Sequence, residues 1–243
     1  MEQIKTSGIV LSEMPIGEYD KRLVLLTKDL GRISAFARGA RRAASPLLAG
    51  SQPLVMAEFG LHPARDSYSV NEIRIIRYFG AEMKDFDKLL LADYFLEVAD
   101  YFGRENEEAS AMLNLLFVAF GALTNEKIPD ELARYVFEER MLSINGLCPD
   151  FSSCVRCANR SFLKTFDFAR NGMLCRDCAD TAKSPCAVDD AALYALRYCF
   201  SAPLEKLFTF NLSKDSFECF KHIAGGCFEQ SVDREFKTLR LFK

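Results

Sequence analysis

Four cysteines arranged as two close pairs constrain this chain of 243 residues more than any other feature. The first pair is Cys154 and Cys157, and the second pair, after seventeen intervening residues, is Cys175 and Cys178. Each C-x-x-C pair turns two sulfurs toward one point, and two such knuckles complete a tetrahedral thiolate site that suits zinc. Gly172, just before the second pair, fits the backbone freedom that such a knuckle needs. The spacing therefore predicts a zinc-binding segment of the ribbon type.

The predicted zinc site is structural rather than catalytic. Four thiolates leave no open coordination position, which a catalytic zinc requires. A zinc deaminase would need an H-x-E motif, and neither His62 nor His222 lies in one. The chain also lacks a P-loop, a G-x-G-x-x-G motif and a nucleophile elbow. We therefore predict a binding protein and not an enzyme, with a zinc-dependent enzyme as the less favoured alternative.

The other five cysteines lack paired spacing. An odd total of nine cysteines fits disulfide pairing poorly, so buried thiols are the simpler expectation. We expect Cys186, Cys199, Cys219 and Cys227 to be buried residues of helices or loops. We expect Cys148, six residues before the first pair, to lie in the core, with a role as a spare ligand as the alternative.

The first eighty residues read as β-structure. Five short segments rich in apolar and β-branched residues are separated by turn-like sequences: residues 8–11, 22–27, 32–37, 54–59 and 68–76. Five short strands within eighty residues predict a small barrel. An OB-fold is the usual solution at this size, and an SH3-like barrel is the alternative.

From Met83 the apolar residues recur at helical spacing, first over residues 86–102 and then over residues 112–123. Pro129 opens a third predicted helix, since proline suits a first helical turn. Helical patterns return at residues 189–200 and 215–228, after the cysteine segment. The predicted fold is α+β: a five-stranded OB-fold barrel (1–80), then an α-helical domain (81–147 and 184–243) with an inserted four-cysteine zinc-binding segment (148–183).

The charge distribution separates two mildly basic ends from an acidic middle. The net charge of −3 divides into +3 over residues 1–80, −8 over 81–147 and +2 over 148–243. Within the predicted barrel, Arg32, Arg38, Arg41 and Arg42 lie in a stretch without acidic residues, and arginine forks suit phosphates. Lys21 and Arg22 could extend this patch. On a small barrel, such a patch favours binding of single-stranded nucleic acid.

Four aromatic residues of the barrel region are candidate partners for stacked bases, although each is more often a core residue in a strand. They are Tyr19, Phe36, Phe59 and Tyr68. No secretory signal is evident at the N-terminus, and the most apolar stretch, 113–123, is about half the length needed to span a bilayer. We therefore expect a cytoplasmic protein that does not insert into membranes.

Taken in order, the motifs resemble those of one family. The segments 17–24, 27–32, 37–42 and Ser45 look like the opening of RecO proteins, and the cysteine pairs with residues 146–149 and 171–174 look like their later part. The resemblance covers essentially the whole chain. One departure is Ala158, which follows Cys157 where the family often has glycine, and which bears on the geometry of the first knuckle.

The resemblance to RecO proteins implies a role in DNA repair and recombination. Such proteins bind single- and double-stranded DNA, anneal complementary strands, and with RecR help to load RecA onto strands coated by single-strand-binding protein (SSB), whose C-terminal tail they contact. It implies that the six basic residues contact DNA, that the four paired cysteines hold a structural Zn²⁺, and that the protein is cytoplasmic and associated with the nucleoid. The alternative is a zinc-ribbon adaptor between proteins with only incidental DNA binding.

Overall fold

The computed structural model describes residues 3–83 and 85–241. Five strands come first: β1 (Ile4–Ile16), β2 (Asp20–Thr27), β3 (Gly31–Ala37), β4 (Val55–Pro63) and β5 (Tyr68–Tyr78). Three helices follow: α1 (Phe86–Phe102), α2 (Ser110–Leu123) and α3 (Asp130–Ile144). The last elements are β6 (Leu163–Asp167), β7 (Gly172–Cys175), β8 (Pro185–Ala187), α4 (Asp190–Ser201) and α5 (Lys214–Ser231). The predicted α+β class is confirmed.

The first five strands close into a barrel in the order β1-β2-β3-β5-β4. Buried and half-buried residues alternate along β3, because successive side chains of a strand face opposite sides of the sheet. The inward-facing side chains form the barrel core, which includes Leu23, Leu25, Ile33, Val55 and Phe59. This five-stranded arrangement, with β3 and β5 meeting in parallel, confirms the predicted OB-fold-like barrel over the SH3-like alternative.

The strands are longer than the apolar segments that predicted them. β1 spans Ile4–Ile16, and its second half, from Ser12 onward, is largely exposed yet stays paired with β2 as far as the pair Ile16–Asp20. Main-chain hydrogen bonds hold this part of the ladder whatever side chains it carries. Hydrophobic patterning therefore located each strand and underestimated its length.

The chain divides into two compact units. Residues 1–125 and 236–243 form the first unit, which contains the barrel, α1, α2 and the C-terminal turn. Within it, the ring of Phe236 packs edge-on against Tyr94 with centroids 5.5 Å apart. The carboxylate of Glu97 accepts hydrogen bonds from the backbone N–H groups of Lys237 (3.1 Å) and Thr238 (3.2 Å). These contacts join the C-terminal segment to α1, in the same unit as the barrel. The division of the chain into three domains that the sequence predicted stays a prediction.

Residues 126–235 form the second unit. It contains α3, α4 and α5, which pack on one another, and a three-stranded sheet in the order β7-β6-β8. Pro129 is the N-cap of α3 and precedes its first residue, so it lies just outside the first turn in which it was predicted. Within the described residues, no helix is both long enough and apolar enough to cross a membrane.

Candidate metal centre and nucleic-acid interface

The two cysteine pairs converge on one point in the second unit. The Sγ atoms of Cys154, Cys157, Cys175 and Cys178 all lie within 4.8 Å of one another, and those of Cys157 and Cys175 are 3.6 Å apart. Zn–S bonds of about 2.3 Å in a tetrahedron place sulfurs about 3.8 Å apart, so this spacing suits a metal ion at the centre. Cys154, Cys175 and Cys178 are buried and Cys157 is exposed. The four cysteines could therefore hold a metal ion.

The β6–β7 hairpin and the loop before it bring the sulfurs together. In the first knuckle, the N–H of Ala158 donates to the carbonyl of Cys154 at 2.8 Å, and the N–H of Val155 donates to the carbonyl of Met173 on β7 at 2.8 Å. Cys175 ends β7 opposite Leu163 of β6, and Cys178 lies in the short 3-10 helix that follows. Main-chain bonds thus fix both knuckles to one hairpin.

Ala158 and Gly172 both shape the first knuckle, but the need for backbone freedom that was predicted at Gly172 occurs at Ala158. Ala158 has a φ of +60°, the left-handed conformation that glycine adopts without strain, so the backbone at this position favours glycine. Gly172 does not use backbone freedom. A Cβ atom at Gly172 would lie 2.3 Å from Cγ1 of Val155, so glycine is required there by the close approach of the first knuckle to β7.

The thiols of the cluster differ in their readiness to ionise. Burial opposes ionisation of Cys154, but hydrogen bonds from the N–H groups of Cys175, Arg156 and Cys157 outweigh it and lower the pKa of Cys154 to about 6. Burial and the three neighbouring cysteines raise the pKa of Cys178 to about 12. Sulfurs in this contact cannot all carry a negative charge unless a cation lies among them. The electrostatics of the cluster therefore favour a bound cation.

The remaining cysteines only partly follow the expectation. Cys199 and Cys227 are buried, as predicted, whereas Cys186 and Cys219 are only partly buried. The prediction that Cys148 lies in the core is wrong, because this residue is exposed in the loop after α3. Cys148 also does not belong to the four-cysteine cluster.

Strand register gathers several basic residues at one end of the barrel. Lys21 at the start of β2 is opposite Ala37 at the end of β3, and Ala35 is opposite Tyr68 at the start of β5. The β1–β2 turn, the segment after β3 and the β4–β5 loop therefore lie at the same end. OB-folds commonly bind oligonucleotides with the face formed by β2 and β3 and with the β1–β2 and β4–β5 loops.

Four of the six predicted basic residues are exposed, and three of these lie together in one turn. Arg38, Arg41 and Arg42 are all exposed in the turn after β3. Nη1 of Arg41 donates to the carbonyls of Gly17 and Glu18 in the β1–β2 turn, each at 3.0 Å. These bonds join the two turns and leave the rest of the guanidinium in solvent.

The guanidinium of Arg42 lies over the ring of Tyr19, 4.8 Å from its centroid. Arg22 is exposed on β2, and its Nε donates to Oγ of Ser34 on the neighbouring strand at 2.9 Å. The backbone N–H of Gly39 donates to the carboxylate of Asp20 at 2.7 Å and is therefore not free to bind a phosphate. Arginine side chains, rather than this amide, therefore supply the hydrogen-bond donors at this end of the barrel.

Two of the predicted DNA contacts form ion pairs with carboxylates of the first unit. Lys21 is buried, and its ammonium pairs with Glu13 and donates to the carbonyl of Ser51 at 3.4 Å. Arg32 donates through Nε to Asp100 of α1 at 2.6 Å. Their roles as DNA contacts stay predictions, and in both cases a phosphate would compete with a carboxylate for the charge.

Of the four aromatic candidates, Tyr19 alone presents a large exposed ring: 43% of the residue is exposed, whereas Phe59 is fully buried and Phe36 and Tyr68 are partly buried. Sequence reasoning missed Arg65, whose side chain is 96% exposed in the β4–β5 loop; its 4.0 Å ion pair with Asp66 is fully in solvent and therefore weak. Its position between two predicted strands was the available signal. We call the following set the basic barrel end: Tyr19, Arg22, Arg38, Arg41, Arg42 and Arg65.

The fold and its two candidate sites define a class of protein: an OB-fold barrel with an exposed basic end, joined to a helical unit that carries a four-cysteine cluster. Two family models match this chain. The model described as the N terminal of Recombination protein O matches residues 1–79, and the model described as its C terminal matches residues 83–240. The chain therefore belongs to the RecO family of DNA repair proteins.

Curated relatives agree with this assignment. The DNA repair protein RecO of Acetivibrio thermocellus is 32% identical over 245 residues, covering 100% of this chain and 97% of the relative. The protein of the same name from Alkaliphilus metalliredigens is 35% identical over 176 residues, or 72% of each chain. That of Caldicellulosiruptor saccharolyticus is 28% identical over 244 residues, covering 100% of this chain and 99% of the relative.

Proposed function

We propose that this RecO-family protein is a non-enzymatic recombination mediator that binds single- and double-stranded DNA through the basic barrel end and anneals complementary strands. The observation that carries the proposal is the exposure of Arg38, Arg41 and Arg42 beside an accessible Tyr19 at the oligonucleotide-binding end of an OB-fold. Guanidinium groups bind phosphates, and the tyrosine ring offers a face for an unpaired base.

The partners in this proposal come from the family. The protein acts with RecR, contacts the C-terminal tail of SSB, and indirectly assists RecA in occupying SSB-coated single strands in the cytoplasm. Annealing and loading need no bond-breaking step by the protein. DNA binding and protein contacts therefore suffice for the function.

We further propose that the four-cysteine cluster holds a structural Zn²⁺. An all-sulfur donor set with sulfurs 3.6 Å apart suits a soft, tetrahedral ion, and bound zinc would neutralise thiolates and hold the two knuckles together. Cys154, Cys157, Cys175 and Cys178 fill all four positions, so the ion has no place for a reacting water.

The experiment that tests the mediator proposal is fluorescence anisotropy with a labelled single strand of about thirty nucleotides, long enough for one or more OB-fold sites. Arg38, Arg41 and Arg42 are replaced together by alanine. Each lost phosphate contact removes a charge-assisted hydrogen bond, so we expect affinity to fall at least about tenfold for single strands of any sequence.

A charge-matched control replaces Lys5, Lys28 and Arg74, which are exposed in the same unit, and should bind nearly as the parent protein does. If the parent protein and the Arg38, Arg41 and Arg42 variant bind DNA with equal affinity, the basic barrel end is not part of the DNA interface. Absence of DNA binding by the parent, with a protein partner retained after nuclease treatment, would favour the adaptor alternative.

A further inference from the structure

Phe162 is the most solvent-exposed of the large hydrophobic residues in the described part of the chain, at 74% exposure. It lies between the first cysteine knuckle and β6, in the second unit. Its ring stacks on no other aromatic ring and lies under no cation within the described residues. An exposed phenylalanine ring contributes nothing to the core and exposes apolar surface to water, which favours a role in binding.

The backbone of Phe162 is fixed although its ring is in solvent. Its φ is +55°, a conformation that costs energy for any residue with a Cβ atom, and its carbonyl accepts the N–H of Arg176 at 3.0 Å. The next residue, Leu163, is paired with Cys175 in the β6–β7 ladder. The main chain that carries the ring therefore loses little conformational freedom when a ligand packs on it.

Three exposed arginines lie near Phe162 in the chain or across the hairpin, and one of them, Arg160, interacts electrostatically with Asp150. Arg160 precedes Phe162 by two residues, Arg176 is bonded to it through the backbone, and Arg156 lies in the first knuckle. All three are exposed, and none forms an ion pair or a side-chain hydrogen bond among the residues that the structure describes. By contrast, the neighbouring cations Lys164 and Arg170 are paired with Asp190 and Asp167.

The charge of the metal cluster does not account for this arrangement. Four thiolates around a divalent ion would carry a net charge of −2, and three guanidinium groups exceed that charge. Asp177, also exposed, is the acidic neighbour of Arg176, and it is not ion-paired with that residue in the described structure. Charge balance accounts for exposed arginines, but it gives no reason for an aromatic ring in water on a fixed backbone.

From these observations we infer that Phe162, with Arg160 and Arg176, is a second single-strand contact, on which an unpaired base stacks while the guanidinium groups bind the adjoining phosphates. Aromatic faces stack on any unpaired base and cannot reach bases within a duplex, so this contact selects single strands. It lies in a different compact unit from the basic barrel end. This inference rests on the proposed DNA-binding function and adds a second place for a strand to it.

The test measures binding of the full-length Phe162→Ala protein to a labelled oligothymidine and to a duplex of the same length. Loss of one stacked base should weaken oligothymidine binding by about tenfold and leave duplex binding unchanged. Phe162→Trp should restore binding because it restores a stacking face. Tyr194→Ala is the matched control, since Tyr194 is 65% exposed on α4 of the same unit and should not affect either affinity.

Stacking itself is read from oligonucleotides that carry the fluorescent base 2-aminopurine, whose emission changes when an aromatic ring stacks on it. The parent protein and Phe162→Trp should change this emission, and Phe162→Ala should not. If Phe162→Ala retains both the affinity and the signal while the Arg38, Arg41 and Arg42 variant loses affinity, the second contact is refuted and the barrel-end interface stands.

Two further outcomes would also overturn the inference. If the parent protein binds no single strand, the proposed function fails along with the second contact. If Phe162→Ala binds DNA normally but no longer binds an acidic peptide ending in apolar residues, the surface docks a protein tail instead. Circular dichroism and the metal content of each variant confirm that the exposed substitution leaves the second unit folded.

Discussion

At the scale of single residues, Glu139 is the least expected side chain of the second unit. It is fully buried on α3, and neither carboxylate oxygen has a hydrogen-bond partner among the residues that the structure describes. Burial, and then the charge of the adjacent Glu138, raise the pKa of the Glu139 carboxyl well above its ordinary value. A carboxyl group in this position is accommodated in its neutral form, because an unpaired buried charge is far more costly than a buried neutral acid.

This position predicts a specific pH dependence of stability. Because the folded-state pKa of Glu139 is raised, the folded protein binds more protons than the unfolded chain above the ordinary glutamate pKa, and the free energy of unfolding falls as pH rises. Glu139→Gln removes this dependence. Its stability relative to the parent should rise by about 1 kcal/mol or more between about pH 5 and about pH 7, as measured by urea unfolding.

The neighbouring residue supplies the control. Glu138 is equally buried but is ion-paired with Arg134 at 2.8 Å, so Glu138→Gln should lower stability at neutral pH. A constant stability difference between Glu139→Gln and the parent across this pH range would show that Glu139 has an ordinary pKa.

Residues whose roles depend on a distant partner could not be predicted from the sequence. Lys21 resembles its exposed neighbour Arg22 in the sequence, but the strand register buries it against Glu13. Gly172 was correctly associated with the knuckle, and the reason, the close approach of Val155, depends on packing that local sequence does not encode. By contrast, the four clustered cysteines were predictable because the short distance within each pair is fixed by the local chain.

At the scale of secondary-structure elements, we expect the β6–β7 hairpin to depend on the cysteine cluster for much of its stability. Its strands span only Leu163–Asp167 and Gly172–Cys175, and a hairpin this short is marginally stable by itself. Bound metal in such sites contributes on the order of 10 kcal/mol to local folding. The barrel strands, which close on themselves around their own core, have no such dependence.

We therefore predict that Cys175→Ser loses the bound metal and loosens this hairpin. Amide hydrogen exchange should increase strongly in β6 and β7 and stay unchanged in β2 and β3, and metal analysis should show loss of zinc. Cys186→Ser is the matched control, since Cys186 lies on β8 of the same sheet but outside the cluster, and it should keep its metal. Unchanged exchange in β6 and β7 of the metal-free variant would show that the hairpin folds without metal.

Elements with a strong internal pattern were predicted well, and some of their ends were misplaced by one to three residues. The predicted helix over residues 86–102 matches α1, because its apolar spacing is continuous and Asp85 caps its N-terminus. α5 begins at Lys214 and ends at Ser231, one residue before and three residues after the predicted range of 215–228. The additional turn at the C-terminus includes polar residues, which hydrophobic periodicity does not identify.

At the scale of the whole molecule, the net charge of −3 opposes DNA binding. Whether the protein binds DNA depends instead on where its positive charges lie. Counterion release depends on the phosphates that are neutralised locally, rather than on the total charge of the protein. In the proposed interfaces, the basic barrel end would contribute five arginines, and the proposed contact at Phe162 would contribute Arg160 and Arg176. Net charge alone would have assigned this chain to proteins that avoid nucleic acids.

The salt dependence of single-strand binding should therefore report the number of these contacts. Each neutralised phosphate contributes about −0.7 to the slope of log K against log salt, so five to seven contacts predict a slope between about −3.5 and about −5. Replacing Arg38, Arg41 and Arg42 should make the slope shallower by about 2, and the Lys5, Lys28 and Arg74 control should leave it unchanged. A parent slope near zero would mean that binding does not depend on phosphate contacts, whatever the affinity at one salt concentration.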